Sequence, residues 1–299
     1  KRLFAIIAFG ASAGAVFGST VTEVLIEPLG VYQLLLVSGG ILAMSLVLTN
    51  TIDAREKERV RSVAAEKASA VEEPIGKEGA FALVWRNGYL LKIAFLILFL
   101  NLVNTIGEYL LGRVVSDAAG QAVASGATDL SEGQYIGRFY ADFFKIVNIV
   151  SLLVQLFLVS RIIKYIGVRA ALLILPIIAT AGYALLAFLP VLGVVRWAKT
   201  AENATDYSLM NTLRGVLFLP TTREEKYKAK QAIDTFFVRS GDALQAALVY
   251  AGVNWLAFQT RDFALMNLAF VGVWTVLAFL IGRDFQRLSG ERERNPERA

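Results

Sequence analysis

The sequence predicts an all-α, polytopic membrane protein, and three observations support this fold class: the composition, a series of apolar segments, and the placement of basic residues. Hydrophobic residues make up 56% of the 299 positions, and the mean hydropathy is +0.55. Charged residues account for 18%, against about 25% in an average soluble domain. A soluble fold of this size has no interior large enough for so much apolar surface.

Eight segments are apolar enough for spanning helices, each of which needs about 20 mostly apolar residues. They cover residues 3–22, 29–48, 88–111, 139–160, 170–189, 191–219, 232–256 and 263–282. We therefore expect two helices in 1–49, a cytoplasmic loop in 50–87, a six-helix bundle in 88–284 and a cytoplasmic tail in 285–299. Within the 50–87 loop, the charged stretch 55–73 predicts a surface helix or a partly ordered linker. The Gly- and Ser-rich stretch 112–138 predicts an irregular outer loop.

Basic residues alternate with the predicted spans. If the N-terminus is cytoplasmic, the loops and tail on that side carry 21 of the 30 Lys and Arg residues, and the outer loops carry three. Basic residues favour cytoplasmic loops, and one missed span would destroy the alternation. The pattern therefore predicts eight spans with both ends of the chain in the cytoplasm.

The absence of Cys and His restricts the chemistry of the chain. Without these residues there is no Cys/His zinc site, haem histidine, thiol nucleophile, Ser-His triad or disulfide. No G-x-x-x-x-G-K-[ST] motif is present, which argues against a P-loop ATPase. We therefore expect a non-enzyme with no cofactor and no metal. The net charge of +5 belongs to membrane topology, so no nucleic acid is expected as a partner.

The sixth segment carries a polar stripe. Residues spaced by three or four share one helix face, and here they are Arg196, Lys199, Asn203, Asp206 and Met210. At 1.5 Å per residue, Glu202 and Asn203 fall near the middle of the bilayer. An isolated charge there costs a few kcal/mol. The stripe predicts either a hydrated transport pathway or a buried ion-pair network that fixes the packing.

Other charged side chains extend this candidate site. Asp142 and Lys145, and likewise Arg239 and Asp242, are i, i+3 pairs that either neutralise each other or act in transport. Glu108 and Lys92 lie near helix ends and are expected to snorkel. The predicted substrate-binding residues are Arg196, Lys199, Glu202, Asn203, Asp206, Arg239, Asp242 and Lys145.

Two chemical roles follow from the charges of these residues. A low-dielectric cavity favours the neutral form of an unpaired carboxylate, so Asp206, Glu202 and Asp242 are candidates for proton coupling. Cationic side chains bind phosphate or carboxylate, and Arg does so with two parallel hydrogen bonds, so Arg196, Lys199 and Arg239 are candidates for binding a small anionic solute.

The first helix carries glycines on one face. Gly10, Gly14 and Gly18 are spaced by four, and small residues at this spacing let helices in lipid approach closely. The face predicts either static packing or a rocking contact between two halves of a transporter.

Several motifs resemble known carriers. The two-plus-six arrangement resembles the major facilitator superfamily without its first four helices, and the basic turn 161–169 is similar to a degenerate form of its short basic loops. The segments 206–212, 217–221, 224–234 and 239–242, with the opening Arg2-Leu3-Phe4-Ala5-Ile6, resemble the nucleotide transporter (ATP/ADP translocase-like) family of plastids and intracellular bacteria.

This resemblance implies a 12-helix bundle that exchanges ATP for ADP without hydrolysis, located in a bacterial inner membrane. Membrane lipid and the missing N-terminal helices of the same protein would be its partners. The family pattern has lysines where this chain has Asp206 and Asp242. An aspartate in place of a lysine at both positions disfavours the binding of a polyphosphate, because a like-charge contact at 4 Å costs about 4 kcal/mol. A proton-coupled carrier of another solute and a non-transporting sensor or scaffold are therefore the alternatives.

Overall fold

The structure, a computed structural model, describes residues 2–64 and 79–294, and its regular elements there are all helical. The α-helices are α1 Arg2–Ala64, α2 Ala80–Arg86, α3 Gly88–Ala124, α4 Glu132–Leu153, α5 Val159–Phe188, α6 Leu192–Thr205, α7 Asn211–Leu217, α8 Lys230–Ala232, α9 Val238–Asn254 and α10 Thr260–Arg294. Single π-helical turns lie between them at Val154–Leu158, Asp206–Met210, Glu225–Ala229 and Ile233–Phe237. The all-α prediction is confirmed for these residues.

Among the described residues, four helical stretches are long and apolar enough to cross a membrane. They are Tyr32–Arg55, Gly88–Ala124, Glu132–Phe188 and Thr260–Glu291, and Gly14–Ile26 is a shorter apolar helix. The chain thus has the character of a membrane protein. The predicted spans 191–219 and 232–256 are helical but are interrupted by π-helical turns and polar residues. The count of eight spans stays a prediction.

Two long helices are broken at a single glycine. Gly30 in α1 has φ 75° and ψ 170°, and Gly167 in α5 has φ 77° and ψ 167°. Positive φ is open to glycine at little steric cost. These breaks lie at or within three residues of the predicted gaps between spans, so each predicted loop is reduced to one non-helical residue.

The predicted loops are more helical than the sequence suggests. α3 continues to Ala124 and α4 begins at Glu132, so the irregular loop expected at 112–138 is wrong for most of its length. Alanine-rich sequence sustains the helix, and Val115 and Ala119 are buried against the bundle. α1 extends to Ala64, into the 50–87 segment, while the rest of the expected linker or surface helix at 65–78 lies outside the described residues.

α3 is the central helix of the bundle. The Asn87 side chain caps its N-terminus by accepting from Tyr89 N (3.0 Å), and its apolar residues pack on α2, α4, α6, α9 and α10. α4 begins with a capping box formed by Ser131 and Gln134. α5 packs on α6 and α10, and α1 packs on α4, where Asn148 Nδ2 donates to Ala15 O (3.2 Å).

The small-residue face of α1 has open surroundings. A Cβ added at Gly14 or Gly18 would meet nothing within 4 Å, and the surroundings of Gly10 lie outside the described part of the chain. Both the static and the rocking contact stay predictions.

Candidate functional site: an ion-pair cluster between α3, α5 and α6

Lys199 lies at the centre of the bundle and is only 2% exposed. Its Nζ is 3.2 Å from Glu202 Oε2, 3.5 Å from Glu108 Oε1 and 3.0 Å from Asn104 Oδ1. The ammonium donates a hydrogen bond to the Asn104 oxygen and forms ion pairs with the two carboxylates, so it has three acceptor oxygens around it although it is removed from solvent. We call Lys199, Glu202, Asn203, Asn104, Glu108 and Tyr183 the ion-pair cluster.

Two polar side chains complete the contacts of the carboxylates. Tyr183 Oη lies 3.0 and 3.1 Å from the two Glu202 oxygens and 3.2 Å from the Val103 carbonyl. Asn203 Nδ2 donates to Glu108 Oε1 (2.8 Å), whereas Asn203 Oδ1 is buried and has no hydrogen-bond partner among the described residues. The hydroxyl from α5 therefore contacts Glu202, and the amide from α6 contacts Glu108.

Gly107 makes room for the ion-pair cluster. A Cβ at this position would lie 2.0 Å from Tyr183 Oη and 2.9 Å from Lys199 Nζ. Both distances are shorter than any van der Waals contact, so the close approach of α5 and α6 to α3 requires a glycine here.

The residues of the ion-pair cluster differ in their exposure to solvent. The side chains of Lys199 and Glu202 are 2% and 7% exposed, whereas that of Glu108 is 33% exposed. The acidic and basic side chains of the ion-pair cluster are one lysine and two glutamates, so carboxyl groups outnumber amines. Moving an ion from water into the protein interior costs several kcal/mol, and close ion pairs with further hydrogen bonds offset part of that cost.

The other predicted residues of the stripe form separate ion pairs. Arg196 pairs with Asp142 on α4 and lies over the Phe139 ring, and Asp206 pairs with Arg214 (3.5 Å). Lys145 Nζ contacts Glu23 Oε2 of α1 (2.7 Å). The expected i, i+3 pairing of Asp142 with Lys145 is therefore wrong, because each finds a partner on a neighbouring helix.

Arg239 and Asp242 do form their predicted i, i+3 pair, at 3.0 Å on α9. Asn101 of α3 donates to Asp242 (2.7 Å) and to the Val238 carbonyl (2.9 Å). This second charged contact on α3 lies about two helical turns from Glu108. The eight predicted residues are thus distributed over five contact sites: Lys199, Glu202 and Asn203 share one, Arg239 and Asp242 share another, and the other three residues lie in separate sites.

Several members of the site escape sequence reasoning. Tyr183 and the fully buried Asn267, which donates to the Val103 carbonyl (3.0 Å), lie within apolar runs, whereas Asn104 lies next to Thr105 and three residues after Asn101. A buried amide in an otherwise apolar segment is the sequence signal that would have identified Asn267. Glu108 and Lys92 were expected to snorkel; instead Glu108 joins the ion-pair cluster, and Lys92 pairs with Asp284 of α10.

Comparisons with known proteins identify no relative: no protein family, curated protein or solved structure matches this chain. Within residues 2–64 and 79–294, no group of three or more Asp or Glu side chains is placed to hold a metal ion.

Proposed function

We propose that the protein is a secondary-active membrane transporter that resembles the ATP/ADP exchangers, with both chain ends cytoplasmic in a bacterial inner membrane. It works by alternating access around a charged site at mid-membrane, as secondary carriers do. The polar faces of α6 and α9 line that site. Membrane lipid is its structural partner, and the solute is a small anion.

The dimensions of the helices support a bundle with more than four crossings. The stretch Glu132–Phe188 has 57 residues, which corresponds to about 85 Å of helix. A bilayer core is only about 30 Å thick, so this stretch has the length for two crossings joined at Gly167. With α6 to α7, α9 and the first arm of α1, which contains the shorter apolar helix Gly14–Ile26, as further spans, the chain reaches the predicted eight.

Partial exposure of charged groups within apolar helices is the observation that carries the proposal. The side chains of Glu108, Asp142 and Arg196 are 27–37% exposed. Contact of such groups with hydrocarbon costs at least a few kcal/mol each, so the open side must meet water or further protein. A hydrated passage between helices satisfies this requirement.

The contacts of the candidate cations affect which solute they can bind. The candidate cations Lys145, Arg196, Lys199 and Arg239 all contact a carboxylate. A nucleotide must therefore compete with a carboxylate for each of these cations. This observation favours the second candidate, a proton-coupled carrier of a less highly charged solute.

Transport by the reconstituted protein tests the proposal. In liposomes, we expect counterflow of labelled ATP or ADP, or of one anion from a metabolite panel, and loss of that flux in the neutral double variant K199M/E202Q. The matched control is E224Q/K228M, which removes an i, i+4 pair in the connection before α8 (2.9 Å) and should keep the flux. A correctly folded wild type that moves no solute, or unchanged flux in K199M/E202Q, would contradict the proposal and favour a sensor or scaffold.

A further inference from the structure

A cavity of about 310 Å³ lies at the end of the bundle where α3 begins. The first turns of α3, the segment 220–225 and α10 line it. Lys92 lines it from α3 and precedes Glu108 by 16 residues, which corresponds to about 24 Å of helix. The cavity is therefore separate from the ion-pair cluster. At about 30 Å³ for each water molecule, it has room for roughly ten waters or for a polyatomic ion.

The two carboxylates that line this cavity have donors within the protein. Asp284 pairs with Lys92, and its side chain is only 8% exposed. Glu225 Oε1 accepts from Asn87 Nδ2 (2.7 Å), and Glu225 Oε2 accepts from the backbone N–H (2.9 Å) and the hydroxyl (3.0 Å) of Thr222. Neither carboxylate therefore needs a ligand to supply a donor.

The two cations that line the cavity have unused donors. The side chain of Arg287 is 67% exposed and lies 4.0 Å from Asp284 Oδ1, which is beyond hydrogen-bond distance. No residue in 2–64 or 79–294 accepts a hydrogen bond from its guanidinium, which carries five N–H groups. Lys92 is 38% exposed and uses one of its three N–H groups on Asp284. Unused donors on two cations at one cavity favour an anionic ligand.

A second cavity adjoins the first and adds another basic residue. Its volume is also about 310 Å³; it shares Asn87, Gly88 and Glu225 with the first cavity, and Arg86 lines it as well. A Cβ added at Gly88 would meet nothing within 4 Å, so the space at this shared boundary is open. Basic side chains thus outnumber acidic ones by three to two over both cavities, and a ligand larger than one ion can extend across them.

We propose that the two cavities form a binding site for a phosphate ester. Arg287 and Lys92 hold the phosphate, because a guanidinium donates two parallel hydrogen bonds to phosphate and an ammonium binds it as a point charge. The remainder of the ester extends towards Arg86. This site goes beyond the proposed transport function and does not depend on it.

The phosphate ester can belong to a lipid headgroup or to a soluble molecule. Trp85, which directly precedes Arg86, is 61% exposed. Exposed tryptophans of membrane proteins favour the depth of the lipid headgroups. Both sources therefore have access to the cavities, and the experiment has to distinguish them.

Equilibrium dialysis tests binding of the soluble form. The full chain in dodecyl maltoside micelles, which contain no phosphate, should bind radiolabelled inorganic phosphate or glycerol 3-phosphate saturably, with one site per chain. R287Q should weaken binding about tenfold or more, the loss expected for a hydrogen bond to a charged group. R287K keeps the charge and should recover part of the affinity.

Two further variants show where the phosphate binds. R283Q is the matched control, because Arg283 is an exposed residue of the same helix that lines neither cavity, and it should bind as the wild type does. K199M/E202Q should also keep the affinity. Equal affinity of R287Q and wild type, or equal weakening in R283Q, would overturn the proposal. Loss of binding in K199M/E202Q but not in R287Q would place the phosphate at the ion-pair cluster and also overturn it.

Native mass spectrometry tests the lipid form. Protein taken from nanodiscs of phosphatidylcholine and phosphatidic acid should retain phosphatidic acid if the ester is a lipid, and R287Q should lose it. Retention without binding of the soluble probes assigns the site to a headgroup, and the reverse assigns it to a soluble ester; either result supports the phosphate site. If the wild type neither binds the soluble probes nor retains the lipid, the proposal fails.

Discussion

Two ion pairs with the same spacing along the chain have opposite environments. Lys199 and Glu202 on α6, and Arg239 and Asp242 on α9, are both i, i+3 pairs with their charges 3.2 and 3.0 Å apart. The first pair is 2% and 7% exposed, and the second is 83% and 36% exposed. The two pairs have the same spacing, so the packing of neighbouring helices decides how much of the free energy of unfolding depends on each.

Removing the cation of the sealed pair should have the largest effect on stability. K199M leaves Glu202 buried without its ammonium, and breaking a buried pair in this way costs about 3–5 kcal/mol. The free energy of unfolding, measured by denaturant titration in detergent micelles, should fall accordingly. K228M is the control and should change little.

The double variant K199M/E202Q sharpens this prediction. Because it leaves no uncompensated charge on Glu202, it should be more stable than K199M alone. A double variant as unstable as the single one would mean that packing of the Lys199 stem, rather than charge, determines the loss.

A methyl group at Gly107 should have the next largest effect. G107A places a Cβ 2.0 Å from Tyr183 Oη, so α5 or the tyrosine must move. Overpacking of this kind typically costs about 1–3 kcal/mol. Thermal unfolding in micelles should show a lower midpoint.

Removing the hydroxyl tests whether this contact is the cause. G107A/Y183F lacks the clashing oxygen and should recover part of the loss, beyond what Y183F alone gives. Equal midpoints for G107A and wild type would show that α5 does not approach α3 as closely as described.

Removing one charge of the exposed pair, Arg239 and Asp242, should have the smallest effect on stability. R239Q removes a charge that is 83% exposed, and such pairs contribute about 0–1 kcal/mol. Unfolding in micelles should be nearly unchanged, and Asn101 still donates to Asp242. A loss as large as that of K199M would contradict the comparison between the two pairs.

The sequence predicts the helices better than it predicts the contacts between them. Apolar runs identify α3 and α10, and the spacing of Lys199 and Glu202 is enough to place them on one side of α6. The partner of Arg196 was missed because cross-helix contacts depend on how helices rotate and stagger. The predicted polar stripe also ends at Asp206. A π-helical turn begins there and rotates the following residues away from the face that the α-helical spacing predicts, and Asp206 pairs with Arg214 rather than with the ion-pair cluster.

The single-residue breaks at Gly30 and Gly167 have a mechanical consequence. Each joins two helical arms with no intervening loop. Any swing of one arm relative to the other must be absorbed by the two backbone torsions of one glycine, because there is no slack in the connection. The two arms can therefore change their angle only at the glycine, and their adjoining ends must stay together while they do so.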